Sequence, residues 1–450
     1  MAGFDTAQKN MAQYLDSAAN GSGLDKSWLT LEALKRVPGL RDHVRLVEIG
    51  PGGGVALEAL TDSIQRELPL LVGALSLDLI ELDGIESLSL RRARESFSRI
   101  GTSRIVRADA RDLDGAIGND NADVVTACAV YHEVYSYCGG ETALNDAFLA
   151  ANRTLSDGGF LAYRDIVALP SETLHNSESA EYSRPSWVQF MKLFLPHYLD
   201  GPTHPYADDV ARIQLKQNER RVAFDEIRPD TALSMIAPAG LFRELQRHYI
   251  TMRDYMWRND AVGVSPILDG ANGQDWIDRP SGHRRIRFDT SRHDLSRLGR
   301  DELGHYVIDG DVFEDIVDDA LYDVLLAAEL DEESRQASLW KQWLDREGRE
   351  TYVYATVDEI VSSVATNSYQ DTDGERILMP QYIGKSPRPH YTRYVRRVLP
   401  NGYYDGGQRI LFQALDPHAD DMRVEQARRV VSRSTSKSTL ATISGLTTNY

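Results

Sequence analysis

Cysteine is scarce in this chain, since Cys128 and Cys138 are the only two among 450 residues. Two cysteines are too few for a disulfide framework or a cysteine-ligated zinc site. Long hydrophobic runs are also missing, because no apolar stretch approaches the ~20 residues that a membrane-spanning helix needs. Residues 1–6 carry neither the basic nor the apolar segment of a secretory signal. We therefore expect a cytoplasmic protein with no membrane partner.

Positive charge is in deficit. Lys and Arg number 50 against 68 Asp and Glu, which gives a formal net charge of -18. A polyanion is a poor partner for such a surface, so nucleic acid is not an expected ligand. The composition, 42% hydrophobic and 26% charged, is that of an ordinary globular protein with ample material for a core. The length allows two or three domains, or one domain with a large insertion.

Short apolar runs alternate with helical patterns after an N-terminal helical cap, which is predicted over residues 1–40. The predicted strands cover residues 46–49, 75–83, 104–110, 122–130 and 160–167. Strands that alternate with helices are typical of a parallel sheet covered on both faces. The predicted fold class is therefore α/β.

The pattern changes after Pro170. Residues 168–349 predict a mostly helical insertion, with helices at 185–196, 208–217, 239–257, 312–330 and 332–347. Beyond it, the pattern predicts a helix at 356–365 and two strands, 391–398 and 408–415. Residues 417–450 are predicted to form a polar tail, with poor order around 432–440.

A glycine-rich turn follows the first predicted strand, in the segment Glu48-Ile-Gly50-Pro51-Gly52-Gly53-Gly54. Strand, glycine turn and helix form the entry of dinucleotide-binding folds, where small residues let a ligand approach the backbone. A purely structural turn would also need glycine. The carboxylate of Glu48 favours a cationic ligand here, because a pyrophosphate prefers helix N-terminal amides without an acid beside them.

Four spaced signals resemble the class I (Rossmann-like) S-adenosylmethionine (SAM)-dependent methyltransferase family. They are the acid and glycine turn at 48–54, Asp83 at the end of the second strand, Asp109-Ala110 after the third, and Leu155-Ser-Asp-Gly158-Gly159 before the fifth. The resemblance covers roughly residues 41–167 and 350–416, and it implies a seven-stranded sheet with an antiparallel edge. Asp157 stands where the family usually has proline.

The resemblance also implies roles for these residues in binding SAM. The turn would lie under the methionine portion, Asp83 would take the ribose hydroxyls, and Asp109-Ala110 would read the adenine. The implied cofactor residues are Glu48, Gly50, Pro51, Gly52, Gly53, Asp83, Asp109, Ala110 and Ala129. Gly54 to Asp83 spans 29 residues instead of the usual ~20, so Glu81 competes with Asp83 as the ribose ligand.

The end of the fourth strand carries the candidate catalytic residues, since ligands sit beyond the carboxyl ends of parallel strands. His132 and Glu133 offer general-base chemistry, and the tyrosines offer hydroxyls or π faces for a cation. The candidates are Tyr131, His132, Glu133 and Tyr135 for catalysis, with Tyr137 and Arg164 for acceptor binding. The tyrosines could instead pack, His132 could cap a helix, and Arg164 could simply pair with Asp165. No metal is expected, because the zinc-site spacing is missing.

Together these features predict methyl transfer to a small-molecule acceptor that the insertion would cover. An anionic acceptor is a further hypothesis. One specific hypothesis is C-methylation of a prenyl diphosphate such as isopentenyl diphosphate, held by basic clusters at 281–287 or 385–393. Ion pairing with surface acid is another reading of those clusters. Alternatives are a protein or peptide methyltransferase and a SAM-sensing binding protein. A homodimer is a further hypothesis.

Overall fold

A computed structural model describes most of the chain. The described residues are 23–37, 43–85, 87–166, 171–201, 203–259, 261–262, 264–266, 283–288, 306–330, 333–371, 374–386, 389–399, 407–419 and 422–447. Residues 1–22 of the predicted helical cap, the basic cluster at 281–287 and residues 387–393 of the second basic cluster lie outside the residues whose side chains are described.

Helices are numbered in chain order. They are α1 (Gly23–Leu34), α2 (Val55–Glu67), α3 (Leu88–Phe97), α4 (Leu113–Ile117), α5 (Tyr131–Cys138), α6 (Glu141–Thr154), α7 (Ser171–Leu174), α8 (Pro185–Asp200), α9 (Ala239–Arg258), α10 (Gly310–Glu329), α11 (Arg335–Arg346), α12 (Val357–Thr366), α13 (Pro389–Val398), α14 (Met422–Ser434) and α15 (Lys437–Leu446).

Strands are numbered in the same way. They are β1 (Val44–Ile49), β2 (Leu75–Glu81), β3 (Gly101–Arg107), β4 (Ala122–Cys128), β5 (Leu155–Asp165), β6 (Ser177–Tyr182), β7 (Gln214–Gln217), β8 (Arg220–Arg221), β9 (Leu233–Pro238), β10 (Val264–Pro266), β11 (His283–Phe288), β12 (Tyr306–Asp309), β13 (Tyr369–Asp371), β14 (Gly374–Ser386) and β15 (Gly407–Leu415).

The chain divides into two compact units. The first comprises residues 1–170, 354–386 and 406–450, and the second comprises 171–353 and 387–405. The second unit contains the antiparallel sheet β6-β9-β7-β8 and the antiparallel sheet β10-β11-β12, together with α7 to α11 and α13. Within the described residues, no helix combines the length and apolar character that crossing a bilayer requires.

The first unit is built on one mixed sheet with the strand order β13-β14-β15-β5-β4-β1-β2-β3. β1 to β5 pair in parallel, whereas β15 runs antiparallel to both β5 and β14. This is the predicted α/β, Rossmann-like fold with its antiparallel edge, and the short β13 adds an eighth strand. Because β1 to β5 are parallel, their carboxyl ends share one edge of the sheet, and the predicted site residues lie there.

Helices cover both faces of this sheet, and successive side chains of a strand point to opposite faces. One face carries Leu46, Leu77, Val124 and Phe160 beneath α1, α2 and α3. The other carries Val47, Ile80, Val125 and Leu161 in a core shared with α5, α6 and α12. Continuous apolar strands such as these are typical of a parallel sheet covered by helices.

One predicted strand is wrong. Residues 391–398 belong to helix α13, and the strand that pairs with β15 is β14, earlier in the chain. The buried positions Tyr394, Val395 and Val398 are spaced i, i+1, i+4, which places them on one side of a helix. Tyrosine and valine favour strands, and that propensity outweighed the helical spacing in the prediction.

The poor order predicted around residues 432–440 is also wrong, because α14 and α15 cover this region. Val424, Ala427 and Val431 are buried at helical spacing. Ser436 caps α15, and Asp358 accepts hydrogen bonds from the Ser436 amide and the Thr439 hydroxyl. In the second unit, the predicted helix at 208–217 is a 3₁₀ turn, Ala207–Arg212, followed by β7.

Candidate functional site

The glycine turn between β1 and α2 contains left-handed backbone at Gly50, Gly52 and Gly54, with φ of 61°, 53° and 76°. A Cβ on Gly54 would lie 2.7 Å from the Cβ of Ala93, so packing against α3 requires glycine there. A Cβ on Gly52 would meet nothing within 4 Å. The turn is therefore open above Gly52, beside the N-terminus of α2, where free amides can meet a ligand.

Glu48 lies near the end of β1 with only 7% of its surface exposed. Its side chain lines a small cavity together with Lys26 and Thr30 of α1 and Thr126 of β4. Burial raises the pKa of Glu48 to about 7, and the charge of Lys26 opposes part of that shift. The motif acid is thus packed under α1, on the same face as α2.

The structure separates the two acids that competed for the end of the second strand. β2 ends at Glu81, so the predicted strand was two residues too long. Glu81 is buried and its carboxylate accepts a hydrogen bond from the Leu82 amide at 3.0 Å. Asp83 is exposed in the turn beyond the strand. Arg107 holds this turn by donating to the Leu82 and Ile85 carbonyls at 2.7 and 2.9 Å.

Asp109 follows β3 and is half-buried, next to the buried Ala110. Its carboxylate accepts the Arg111 amide at 2.9 Å and is held by both arms of the Arg111 guanidinium at 2.9 and 2.8 Å. Burial alone would raise the pKa of Asp109, but the hydrogen bonds and charge of Arg111 outweigh it, so the pKa is lowered.

Ala129 connects β4 to α5 with an unusual backbone, since its φ of 58° is left-handed for a residue that is not glycine. Its amide donates to the Arg164 carbonyl at 2.7 Å. Such conformations cost free energy and cluster at functional sites. The sharp turn places α5, and with it the candidate catalytic residues, directly at the carboxyl edge of the sheet.

His132, in the first turn of α5, is held by Asp165 at the end of β5. The ring Nδ1 lies 2.8 Å from Asp165 Oδ1, and the His132 amide donates to Asp165 Oδ2 at 3.0 Å. The amide of Ile166 donates to the same carboxylate at 2.8 Å. Asp165 is fully buried and His132 is 4% exposed. This pairing adds Asp165 to the predicted site.

The tyrosines near His132 divide into two groups. Tyr131 is fully buried and stacks on Tyr163 with ring centroids 5.6 Å apart, which is a packing role. The Tyr163 hydroxyl is hydrogen-bonded to that of Tyr354, which lies 3.5 Å from Asp165 Oδ2.

Tyr135 is half-buried against Tyr354, with ring centroids 5.4 Å apart. Glu133 and Tyr137 are also half-buried on α5.

Arg164 does not pair with Asp165, because adjacent residues of β5 face opposite sides of the sheet. Its guanidinium donates instead to Asp25 of α1 at 2.6 and 2.9 Å and to the Ser386 hydroxyl at 3.3 Å. Arg409 binds the same Asp25 carboxylate. The predicted Arg164–Asp165 pair is therefore wrong, and Arg164 is engaged in anchoring α1.

Sequence reasoning missed Asp25 and Tyr354 as parts of this edge. Asp25 is 139 residues from Arg164, and Tyr354 is 189 residues from Asp165. Neither belongs to a motif with characteristic spacing. The available signal for Asp165 was its position at the end of a strand, beside the edge that His132 occupies.

No protein-family model and no curated protein matches the chain. Among solved structures, the CurJ carbon methyltransferase is 13% identical over 53% of this chain and 61% of its own, with a TM-score of 0.28. Phosphoethanolamine N-methyltransferase 2 of Haemonchus contortus, in complex with S-adenosylhomocysteine, is 16% identical over 37% of this chain and 38% of its own, with a TM-score of 0.24. The [4+2]-cyclase SpnF is 18% identical over 32% of this chain and 47% of its own, with a TM-score of 0.23.

These matches span less than two thirds of the matched chains, and at such identities and TM-scores they do not establish an activity. The chain's own features are more specific: a parallel sheet with an antiparallel edge, the open glycine turn after β1, and acids at the ends of β2 and β3. The first unit resembles a class I SAM-dependent methyltransferase.

Proposed function

We propose that the first unit binds SAM and that the protein transfers its methyl group to a small-molecule acceptor. The observation that carries this proposal is the open, left-handed turn at Gly52, which lies at the same sheet edge as the carboxylates of Glu81 and Asp109. Acids around a helix N-terminus disfavour a pyrophosphate and suit a cationic nucleoside. SAM has that chemistry and NAD does not.

The residues present fit the parts of SAM. The glycine turn would lie under the methionine portion, and Asp109 and Ala110 would face the adenine. For the ribose hydroxyls we favour Glu81 over Asp83, because Glu81 is buried where β2 ends whereas Asp83 is exposed beyond it. When bound, SAM supplies an electrophilic methyl group on a sulfonium cation.

His132 is the residue best placed to take the acceptor's proton. Because Asp165 accepts two backbone amides as well, its carboxylate acts as the acceptor and His132 Nδ1 as the donor. That tautomer leaves Nε2 as the basic nitrogen. Glu133 is the alternative base on the same helix. The Tyr354 hydroxyl, which is hydrogen-bonded to that of Tyr163, lies 3.5 Å from Asp165 Oδ2.

The acceptor is proposed to be a small molecule, and the reacting atom could be oxygen, nitrogen or carbon. Within the described residues, Arg164 is engaged by Asp25, so a prenyl diphosphate remains a hypothesis that rests on the two basic clusters alone. A protein or peptide acceptor and a SAM-sensing role are the alternatives. The covering role of the insertion stays a prediction.

The test is calorimetric titration of the full chain with S-adenosylhomocysteine and with NAD, followed by a metabolite screen with labelled SAM. We expect S-adenosylhomocysteine to bind and NAD not to bind. Absence of S-adenosylhomocysteine binding would overturn the cofactor assignment. Binding without label transfer to any metabolite or peptide would favour the sensing alternative.

A further inference from the structure

Arg111 has no role in the proposed methyl transfer, yet it holds the acid that is expected to face the adenine. We infer that Arg111 is a positioning residue that sets the nucleobase specificity of this site through Asp109. The inference rests on the proposed SAM site. It concerns the contact between the Asp109 carboxylate and the 6-amino group of the adenine.

The first step is geometric. An ionised carboxylate offers about four acceptor positions. Asp109 Oδ1 accepts both the Arg111 amide and Arg111 Nε, each at 2.9 Å, and Oδ2 accepts Arg111 Nη2 at 2.8 Å. Within the described residues, these bonds fill Oδ1 and leave about one acceptor position on Oδ2. The bidentate contact also fixes the rotamer of Asp109, so that the remaining position has a defined direction.

The second step is electrostatic. The charge and hydrogen bonds of Arg111 hold the pKa of Asp109 below its ordinary value of 3.8, although burial acts in the opposite direction. Asp109 therefore remains an acceptor at any physiological pH. A fixed acceptor can accept a hydrogen bond from the 6-amino group of adenine. The 6-oxo group of hypoxanthine is itself an acceptor, so it would be repelled by the Asp109 carboxylate.

The third step is location. The backbone carbonyl of Glu81 accepts the Ala108 amide at 3.2 Å, so the segment that carries Asp109 is joined to the end of β2. Asp109 then begins the short 3₁₀ turn Ala110–Asp112, whose N-cap it is. The acid proposed for the ribose and the acid proposed for the base thus lie on adjoining strand ends.

The experiment compares S-adenosylhomocysteine with S-inosylhomocysteine, which carries the 6-oxo group, by calorimetry on the full chain. We expect the wild-type protein to prefer S-adenosylhomocysteine by roughly 10- to 100-fold, the range for one hydrogen bond to a charged group. Arg111→Ala should reduce that preference to about threefold or less. Arg111→Lys keeps the positive charge without the bidentate contact, so it should retain part of the preference for S-adenosylhomocysteine.

A pH series separates positioning from a merely structural effect. Without Arg111, burial dominates and the pKa of Asp109 rises, so that, as the pH is lowered, the affinity for S-adenosylhomocysteine should begin to fall at a higher pH than in the wild type. The control is Arg153→Ala, because Arg153 lines the same open pocket as Asp109 and Arg111 but pairs with Asp114. This control should keep the wild-type preference and pH profile.

The outcomes distinguish this inference from the proposed function. If the wild type does not bind S-adenosylhomocysteine, both fail. If it binds S-adenosylhomocysteine but Arg111→Ala and Arg111→Lys weaken both ligands equally, with an unshifted pH profile, the SAM site stands and the role of Arg111 is refuted.

Discussion

At the residue scale, the chemistry of the candidate site depends on how buried acids are paired. Asp165 is fully buried and accepts hydrogen bonds from the His132 ring and from two backbone amides. The Tyr354 hydroxyl lies 3.5 Å from the same carboxylate. Glu48 is also buried, and burial raises its pKa to about 7 although the charge of Lys26 opposes that shift. Asp165 is therefore placed to orient His132, the proposed base, whereas burial makes the negative charge of Glu48 costly.

Asp165→Asn should damage catalysis and leave cofactor binding intact. The amide can present its N–H₂ to His132, which would favour the tautomer with Nε2 protonated and remove the base. We expect kcat to fall by about 10²-fold or more, in the range for general-base catalysis, with S-adenosylhomocysteine affinity within twofold. The readouts are steady-state kinetics with labelled SAM and calorimetry.

Two companion variants test the packing role of Tyr131 and the alternative base Glu133. Tyr131→Phe should retain activity, because the Tyr131 hydroxyl has no hydrogen-bond partner in the described part of the chain. Glu133→Gln examines the alternative base on α5. If Glu133→Gln abolishes turnover while Asp165→Asn does not, His132 is not the base.

Glu48 should make stability depend on pH near neutrality. Burial raises its pKa from 4.5 to about 7, so the folded chain binds this proton more tightly than the unfolded chain. Its contribution to stability is complete below about pH 4.5 and is lost as the pH rises through about 7. Glu48→Gln should remove that dependence, with a difference of up to about 3 kcal/mol in the free energy of unfolding at pH 8.

Chemical denaturation at a series of pH values measures this effect. Glu58→Gln is the control, since Glu58 is exposed on α2, and it should follow the wild-type pH curve. Parallel pH curves for the wild type and Glu48→Gln would contradict the prediction.

At the element scale, two glycines of the turn after β1 have different roles, one in helix packing and one in ligand access. Gly54 serves packing, because its position lies against Ala93 and Leu90 of α3. Gly52 serves access, because the space above it is open. Helix α1 completes this region: Asp25 ties it to Arg164 and Arg409, and Thr30 meets the Thr126 hydroxyl at 2.9 Å.

The two glycines should therefore respond differently to alanine. Gly52→Ala carries the cost of left-handed backbone, roughly 1–2 kcal/mol, and its methyl group enters the space proposed for SAM. It should weaken S-adenosylhomocysteine by about tenfold or more. Gly54→Ala adds a clash with α3 and should cost about 2–4 kcal/mol of stability. Thermal unfolding and calorimetry together decide this, and equal effects of the two variants on both readouts would refute it.

At the scale of the whole molecule, the chain forms two compact units. The first has apolar cores on both faces of its sheet. The second contains a buried ionic network, in which Asp318 of α10 contacts Arg253 at 3.4 Å and Arg184 at 3.1 Å. Tyr394 of α13 donates to the same carboxylate at 2.7 Å.

Asp318→Ala should destabilise the second unit by about 3–5 kcal/mol, because the buried hydroxyls of Tyr249 and Tyr394 lose their acceptor and Arg253, which keeps Glu314, loses one of two acidic partners. Hydrogen exchange should accelerate in α10 and α13. Asp315→Ala is the control on the same helix, since Asp315 is half-exposed where it meets Arg184 and Arg397, and it should cost less than about 1 kcal/mol. Similar hydrogen-exchange rates in the two variants would contradict the prediction that the buried contacts of Asp318 stabilise the second unit.

Local sequence alone determined the α/β class, the glycine turn and the order of the acids along the chain. A turn that needs left-handed backbone must carry glycine, and strands buried on both faces must be apolar throughout. The same local reading failed for α13, where strand propensity and helical spacing conflicted within residues 391–398. The register of the edge strand β14 had no local marker either.

Tertiary structure alone decided which side chains meet at the carboxyl edge. It brings Asp165 to His132 and Tyr354 to Asp165, and it turns Arg164 away to Asp25. It also ends β2 at Glu81, two residues before Asp83, the acid predicted at the strand end. These pairings join residues far apart in the chain, and they depend on strand order and side-chain alternation, which no short stretch of sequence encodes.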